Sequence, residues 1–269
     1  MLRIITPFIV ILIMFSSFLL CMDDTPEKLA EGTPCTADDA PLPNTGITEP
    51  AGVGGCPDGM TALPQDPAVC MDRWEAHLEE VTGSGNAPWS PYKNPEDRTM
   101  IAKSASGAVP QAYINQVQAD EACAQAGKRL CTNAEWIMAC KGTSNSTYPY
   151  GNDFVADACN ITRTVHPAVE YFETEDVWIY SELDHPCLNQ LDSTVDKSGE
   201  NTGCAAEGNI YDMHGNLNEW TSDLDGTLRG GYYYDGVING VGCNYAITAH
   251  NLYYRDFSTG FRCCADNGP

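Results

Sequence analysis

Thirteen cysteines in 269 residues limit what this chain can fold into more than any other feature of its sequence. In a reducing compartment a protein uses so many cysteines only to bind metal. Zinc would require Cys-x-x-Cys or His-x-x-x-His pairs at ligand spacing. The sequence contains neither pattern, and its only close pair is the adjacent Cys263 and Cys264. We therefore expect disulfide bonds and an oxidising compartment.

The N-terminus is typical of an exported protein. Arg3 precedes an apolar run that ends at residue 20, and acidic residues follow Cys21. This order is that of a signal peptide, which we place at residues 1–20. Cys21 resembles the lipid-bearing cysteine of bacterial lipoproteins, although Leu20 is large for that signal. An envelope lipoprotein, a secreted protein and an uncleaved anchor stay open as alternatives. Without Cys21, twelve cysteines remain, an even number that suits bridges.

Composition and charge divide the rest of the chain and exclude some partners. Residues 21–55 are rich in Pro, Gly, Thr, Asp and Ala and lack aromatic residues, which indicates a flexible linker. The folded domain is expected over residues 56–269.

The formal net charge of −23 repels phosphates and anionic lipid headgroups. Nucleic acid is therefore excluded as a partner, and membrane contact is expected only through an N-terminal lipid or anchor.

Capping boxes predict two helices. Asn115 followed by Gln118 is a pair in which each side chain satisfies an unpaired backbone amide at a helix start. This helix is expected to run to about Ala126. Thr132 followed by Glu135 predicts a second helix in the same way.

The remaining segments are short. Cys56 and Cys70 flank a predicted hairpin and are close enough in sequence to pair. Residues 80–108 have a loop-like composition. After residue 143, no periodic segment is longer than about eight residues. We expect short strands and long ordered loops held by disulfides over that half of the chain.

Five segments, taken together and in this order, carry a resemblance to a known family. They are Gly-Lys-Arg-Leu-Cys-Thr-Asn-Ala-Glu-Trp (127–136), Tyr-Pro-Tyr-Gly (148–151), Asn-Ile-Tyr-Asp-Met-His-Gly-Asn-Leu-Asn-Glu-Trp (209–220), Leu-Arg-Gly-Gly (228–231) and Gly-Phe-Arg-Cys-Cys (260–264). The chain resembles the formylglycine-generating enzyme, or sulfatase-modifying factor, family over about residues 56–266. The resemblance implies an α+β fold, the family's variant of the C-type lectin architecture, with little regular secondary structure.

The resemblance also implies disulfide pairs. Two pairs are carried over from the family, one pair is inferred because its cysteines lie beside a carried-over bridge, and one comes from the predicted hairpin. The carried-over pairs are Cys123–Cys263 and Cys140–Cys243. The pair beside a carried-over bridge is Cys131–Cys264, and the hairpin pair is Cys56–Cys70. Four cysteines stay unassigned: Cys35, Cys159, Cys187 and Cys204.

The copper site of the family is altered in this sequence. Oxidase-type members convert a cysteine of a sulfatase to formylglycine, using molecular oxygen and copper held by two cysteines. Asp235 stands at the first of these positions, and Asn239 or a neighbour stands at the second. Tyr232 and Asn218 replace a serine and a tryptophan of the family pattern. Because hard oxygen ligands do not replace two thiolates for Cu(I), copper binding and formylglycine formation are not expected.

Calcium is the metal that the resemblance favours. Carboxylates and carbonyls in a glycine-containing loop suit this ion. The alternative is that the carboxylates only cap local turns. The implied ligands are the side chains of Asp212 and Glu219 with the carbonyls of Gly215 and Leu217, and a weaker second set contains Asn160 and the carbonyl of Ile161.

We interpret the chain as an exported family member that is non-catalytic and has a binding or envelope role. Arg229 and the run Tyr232, Tyr233 and Tyr234 are expected on a face that binds an unknown protein or carbohydrate, since tyrosine gives large contact area with a polar tip. Alternatively, these tyrosines lie along a strand and their side chains alternate between the core and the surface.

The alternative function is an oxidoreductase of the same family with an altered metal site, formed by Asp235, Asn239 and a histidine. It would require Asp235 to share a pocket with a histidine or glutamate. A hydrolase is less favoured, because no Gly-x-Ser-x-Gly motif is present.

Overall fold

The computed structural model describes residues 35–268. The predicted signal peptide, Cys21 and the beginning of the predicted linker lie outside the described residues. Among those that are described, no helix has the length and hydropathy needed to cross a membrane.

Three α-helices are present between residues 35 and 268, and the first two begin as the capping boxes predict. They are α1 (Gln116–Gln125), α2 (Asn133–Lys141) and α3 (Pro167–Phe172). The side chain of Asn115 accepts from the Gln118 amide, and the side chain of Thr132 accepts from the Glu135 amide. Both reciprocal bonds of each capping box are formed. Short 3-10 helices cover Val177–Ser181, Pro186–Gln190 and Gly242–Asn244.

The strands are short, as expected for the second half of the chain. They are β1 (Met60–Ala62), β2 (Val69–Asp72), β3 (His77–Thr82), β4 (Gly85–Pro88), β5 (Met100–Lys103), β6 (Arg129–Leu130), β7 (Ala205–Ala206), β8 (Ile210–Tyr211), β9 (Asn218–Trp220), β10 (Leu228–Arg229), β11 (Ala246–Ile247), β12 (Thr259–Phe261) and β13 (Cys263–Asp266).

These strands form four small sheets with the orders β1-β2-β13-β6, β11-β10-β9-β12, β4-β3-β5 and β7-β8. Strands β12 and β9 pair in parallel, with Thr259 opposite Asn218, and the other pairs are antiparallel. This parallel pairing brings the segment before β12 next to the start of β9, and it is the contact that builds the site described below.

The loop predicted over residues 80–108 is corrected by the structure. Part of it forms the sheet β4-β3-β5, in which Leu78, Met100 and Ala102 are buried in one core cluster with α1. Glu79 and Glu80 lie in the middle of β3 and are only partly buried. Because these charges interrupt the apolar pattern, the composition of the segment suggested a loop.

Six disulfides hold the described residues together. The four pairs expected from the sequence are present: Cys56–Cys70, Cys123–Cys263, Cys131–Cys264 and Cys140–Cys243. The four unassigned cysteines pair as Cys35–Cys187 and Cys159–Cys204. Every cysteine between residues 35 and 268 is therefore oxidised to a disulfide.

The prediction of a flexible linker as far as residue 55 is wrong for residues 35–55. Cys35 is bonded to Cys187, which lies 152 residues away. The buried side-chain amide of Asn44 exchanges two hydrogen bonds of 2.8 Å with the backbone of Val109. Glu49 accepts from the buried Lys128 at 3.3 Å. This segment is anchored by a few specific contacts, which its average composition does not reveal.

Candidate functional site

A cavity of about 220 Å³ brings together the four positions at which the sequence departs from the copper-site pattern. Asn218, Tyr232, Asp235 and Asn239 all line it. We call it the Asp235 cavity. The other lining residues are His166, Leu183, Leu228, Tyr245, Ile247, His250, Tyr254, Asp256, Phe257 and Ser258.

Asp235 is held in this cavity by three donors. Its Oδ1 accepts from the amides of Val237 and Ile238, at 3.0 and 2.9 Å. Its Oδ2 accepts from the hydroxyl of Tyr245 at 3.0 Å, and that hydroxyl also accepts from Asn239. Burial, reinforced by the charge of Asp235, raises the pKa of Tyr245, which keeps its hydroxyl a donor. Asp235 is only 8% exposed and has no basic partner within hydrogen-bond distance in the described structure.

A second buried carboxylate, Asp256, was not identified from the sequence. Its Oδ2 accepts from the Tyr254 hydroxyl at 2.5 Å, and its Oδ1 accepts from the amide and hydroxyl of Ser258, both at 2.8 Å. Asp256 is 6% exposed. Burial raises its pKa although these hydrogen bonds oppose the shift.

Asn218 places an unpaired acceptor in the same cavity. Its Nδ2 donates to the hydroxyl oxygen of Ser258 at 3.2 Å, whereas its Oδ1 is buried without a partner. The Ser258 hydroxyl already donates its hydrogen to Asp256, so its oxygen can only accept from Asn218. The amide of Asn218 is therefore fixed with Oδ1 unpaired.

Two histidines line the cavity, which is the feature that the altered-metal alternative requires. The Nδ1 of His166 accepts from the Ala168 amide, and burial lowers its pKa. The ring of His250 stacks on Tyr254 with centroids 3.7 Å apart. Within residues 35–268, however, no three His, Cys, Asp or Glu side chains are placed to hold one metal ion. Asp235 is a hard donor without a thiolate beside it, so the residues present do not fit Cu(I).

The structure separates the residues of the predicted binding face. Tyr232 lines the Asp235 cavity, but Tyr233 is fully buried and donates its hydroxyl to Asn189. Tyr234 is half-buried against His166. Arg229 donates to Asn133 and to a backbone carbonyl, so its guanidinium supports the fold. The correction for Tyr233 follows from a tight backbone bridge between Tyr232 and Asp235, over which buried and half-buried side chains alternate.

The implied calcium ligands lie in a second buried polar group, the Arg262 cluster, which consists of Arg262, Glu219, Asp212 and Glu75. Arg262 is fully buried and donates to both oxygens of Glu219, at 2.6 Å each. The indole of Trp136 also donates to Glu219, at 2.8 Å. Glu219 therefore does not fit a calcium ligand unless this ion pair breaks.

Asp212 is the part of the implied calcium set that remains available. Its Oδ2 accepts from the Gly199 amide at 2.6 Å, and burial raises its pKa to about 7. Burial also raises the pKa of Glu75, with Asp212 adding to the shift. Because one guanidinium serves three carboxylates, negative charge is in excess here. Asp212, with the carbonyls of Gly215 and Leu217, could hold calcium.

The residues of the weaker second calcium set make contacts through atoms other than the implied ligands. The side-chain amide of Asn160 donates to the Thr194 carbonyl and to Asn216, at 2.8 and 3.0 Å. Its carbonyl accepts from the Asn216 amide, and the Ile161 amide donates to the Cys159 carbonyl. These bonds engage neither the side-chain oxygen of Asn160 nor the Ile161 carbonyl, so the second calcium set stays a prediction.

Comparison with known proteins places the chain in a family. The model of the sulfatase-modifying factor enzyme 1-like domain matches residues 68–265. The chain belongs to this family. Its α+β class and the family's variant of the C-type lectin fold are thus confirmed, with short strands, few helices and six disulfides.

No curated protein matches the chain. Solved structures that resemble this sulfatase-modifying-factor-like domain do so at low identity. PvdO from Pseudomonas aeruginosa has a TM-score of 0.45 at 13% identity, with 74% of this chain and 80% of that chain covered. The Major Tropism Determinant I1 variant has a TM-score of 0.44 at 14% identity, with 78% and 53% covered. CarF has a TM-score of 0.42 at 15% identity, with 74% and 86% covered.

Proposed function

We propose that this chain is an exported, non-catalytic binding protein, in which a sulfatase-modifying-factor-like domain has lost its oxidase chemistry and kept a ligand cavity. One observation carries the proposal. Each of the twelve cysteines from Cys35 to Cys264 is in a disulfide, so none of them supplies a thiolate to the cavity.

The cavity chemistry supports the loss of oxidation. Cu(I) requires soft thiolate ligands, whereas the described lining consists of carboxylates, amides, hydroxyls, imidazoles and hydrocarbon. Asp235, at the position of the first copper cysteine, has both oxygens engaged by neighbours of its own chain. Such a site is suited to recognition through hydrogen bonds and aromatic faces.

Export is supported by the disulfides. Six bridges in the described residues are typical of an oxidising compartment. The signal-like segment at residues 1–20 agrees with export. Cys21, directly after this segment, favours an envelope lipoprotein. Its partner is a protein or a carbohydrate that places a small polar group in the Asp235 cavity.

A peptide-conversion assay tests the proposal. The oxidised protein receives copper, oxygen, calcium and a peptide containing Cys-x-Pro-x-Arg, and mass spectrometry detects conversion of cysteine to formylglycine. An authentic formylglycine-generating enzyme is run in parallel. We expect no conversion by this chain while the control converts, and conversion would overturn the non-catalytic assignment.

The alternative, an oxidoreductase with an altered metal site, is favoured by one feature, since Asp235 shares its cavity with His166 and His250. Repeating the assay with iron, manganese and zinc in place of copper separates the two functions. Turnover that depends on one metal and is lost in Asp235→Asn would establish the alternative.

A further inference from the structure

Two buried carboxylates line the Asp235 cavity without a lysine or arginine beside them. Asp235 and Asp256 are both more than nine-tenths buried, and no lysine or arginine is among the lining residues that the structure describes. Burying a carboxylate costs free energy unless it is paired with positive charge or strongly hydrogen-bonded. Both carboxylates are hydrogen-bonded, and the charge of His250 partly offsets that of Asp256, but no lysine or arginine in the described lining balances the two negative charges.

An independent observation shows that the cavity also needs a hydrogen-bond donor. Asn218 is 1% exposed, its Oδ1 has no partner, and its amide orientation is fixed by Ser258. A buried acceptor left unpaired costs about 1–3 kcal/mol. A ligand that supplies an N–H at this atom would remove that cost.

Aromatic rings complete the lining. Tyr232, Tyr245 and Tyr254 border the cavity, and two of them direct their hydroxyls to the carboxylates. Ring faces attract cations through their quadrupole. A group with both positive charge and N–H donors satisfies the carboxylates, Asn218 and the rings together.

We infer that the Asp235 cavity binds a protonated primary amine, either of a small free molecule or of a lysine side chain on a partner protein. The inference rests on the proposed binding function and deepens it. A cavity of about 220 Å³ is smaller than the roughly 300–1,000 Å³ of sites for drug-sized ligands. It therefore suits one such group and a short alkyl chain. The net charge of −23 adds long-range attraction for cations.

Binding of n-butylammonium to the full oxidised protein tests this inference. Chemical shifts of labelled tyrosine rings report the cavity, and titration gives the Kd. Butan-1-ol is the neutral control of similar shape, and tetramethylammonium is a cation without N–H donors. We expect n-butylammonium to shift the rings of Tyr232 and Tyr254 and to bind at least about tenfold more tightly than either control, a factor equal to about 1.4 kcal/mol.

Three variants locate the site. Asp256→Asn should weaken n-butylammonium binding about tenfold, and Asp153→Asn, the same substitution at an exposed residue outside the cavity, should leave it unchanged. Asn218→Leu should weaken n-butylammonium and leave tetramethylammonium unaffected. Thermal unfolding of each variant shows that it is folded. Equal binding by wild type and Asp256→Asn would overturn the inference.

Further ligands distinguish the source of the amine and test the amine inference separately from the proposed binding function. Tighter binding of Nα-acetyl-lysine methylamide than of n-butylammonium identifies a lysine side chain, and the reverse order identifies a free amine. If N-acetylglucosamine shifts the cavity tyrosines and n-butylammonium does not, the amine inference is overturned while the binding function stands. The peptide-conversion assay is independent of both results.

Discussion

The Arg262 cluster and the Asp235 cavity both bury carboxylates, but only the cluster contains a buried arginine. In the cluster, Arg262 makes a two-pronged pair with Glu219 and lies beside two further acids. In the cavity, Asp235 and Asp256 accept from hydroxyls and amides, and His250 is the one base whose charge lowers the pKa of Asp256. The buried charges of the cluster therefore stabilise the scaffold, whereas those of the cavity are open to a cation supplied by a ligand.

The largest effect is expected where the internal cation is removed. Arg262→Met leaves Glu219, Asp212 and Glu75 buried without a guanidinium, so the free energy of unfolding should fall by about 3–5 kcal/mol. Chemical denaturation of the disulfide-intact protein measures it. A fall of less than 1 kcal/mol would show that the cluster does not depend on Arg262, and the comparison would fail.

The opposite result is expected in the cavity. Because burial raises the pKa of Asp256, its charged form opposes folding, and wild-type stability falls as the pH rises through that raised pKa. Asp256→Asn should raise the free energy of unfolding at pH 8 by about 0.5–2 kcal/mol, as is common when a destabilising functional residue is replaced.

Denaturation of wild type and Asp256→Asn from pH 4 to pH 8 checks this sign. The stability of Asp256→Asn should exceed that of wild type increasingly as the pH rises. A variant that is less stable than wild type at pH 8 would mean that the carboxylate is compensated within the protein.

A smaller effect is expected from calcium at the Arg262 cluster. If Asp212 and the loop carbonyls bind calcium with the millimolar affinity of extracellular modules, a few millimolar calcium should raise Tm by roughly 2–5 °C over EGTA. Asp212→Asn should abolish the shift. No shift in wild type would show that the excess acids are neutralised by protons alone.

Local features of the fold could be predicted from the sequence. The capping boxes at Asn115 and Thr132 involve residues three positions apart, so the sequence contains the whole interaction. The spacing of Cys56 and Cys70 around a hairpin is local in the same way. The longer disulfides followed from the family resemblance, because residues more than a hundred positions apart give no local signal.

Long-range contacts explain most of what the sequence did not reveal. Asp256 and Ser258 join Asn218 because β12 pairs in parallel with β9, placing Thr259 opposite Asn218. No periodic pattern reports such a pairing. The anchoring of residues 35–55 depends on Asn44, Glu49 and the bond of Cys35 to Cys187, which are single contacts within a segment of linker-like composition.

The site was predicted in part. Asn218, Tyr232, Asp235 and Asn239 were singled out by their departure from the family pattern, and one cavity contains all four. Tyr233 was misplaced because a run of identical residues does not indicate which side chain faces the core. Burial of its ring and the bond to Asn189 decide that point.

A count of free thiols in the mature protein tests whether any cysteine of the described domain is available to bind copper. The protein is unfolded without reductant, alkylated, digested and analysed by mass spectrometry for every cysteine between residues 35 and 268. We predict no alkylated cysteine and six cross-linked peptide pairs, including Cys140 with Cys243. Two alkylated cysteines, free to hold copper, would contradict the account.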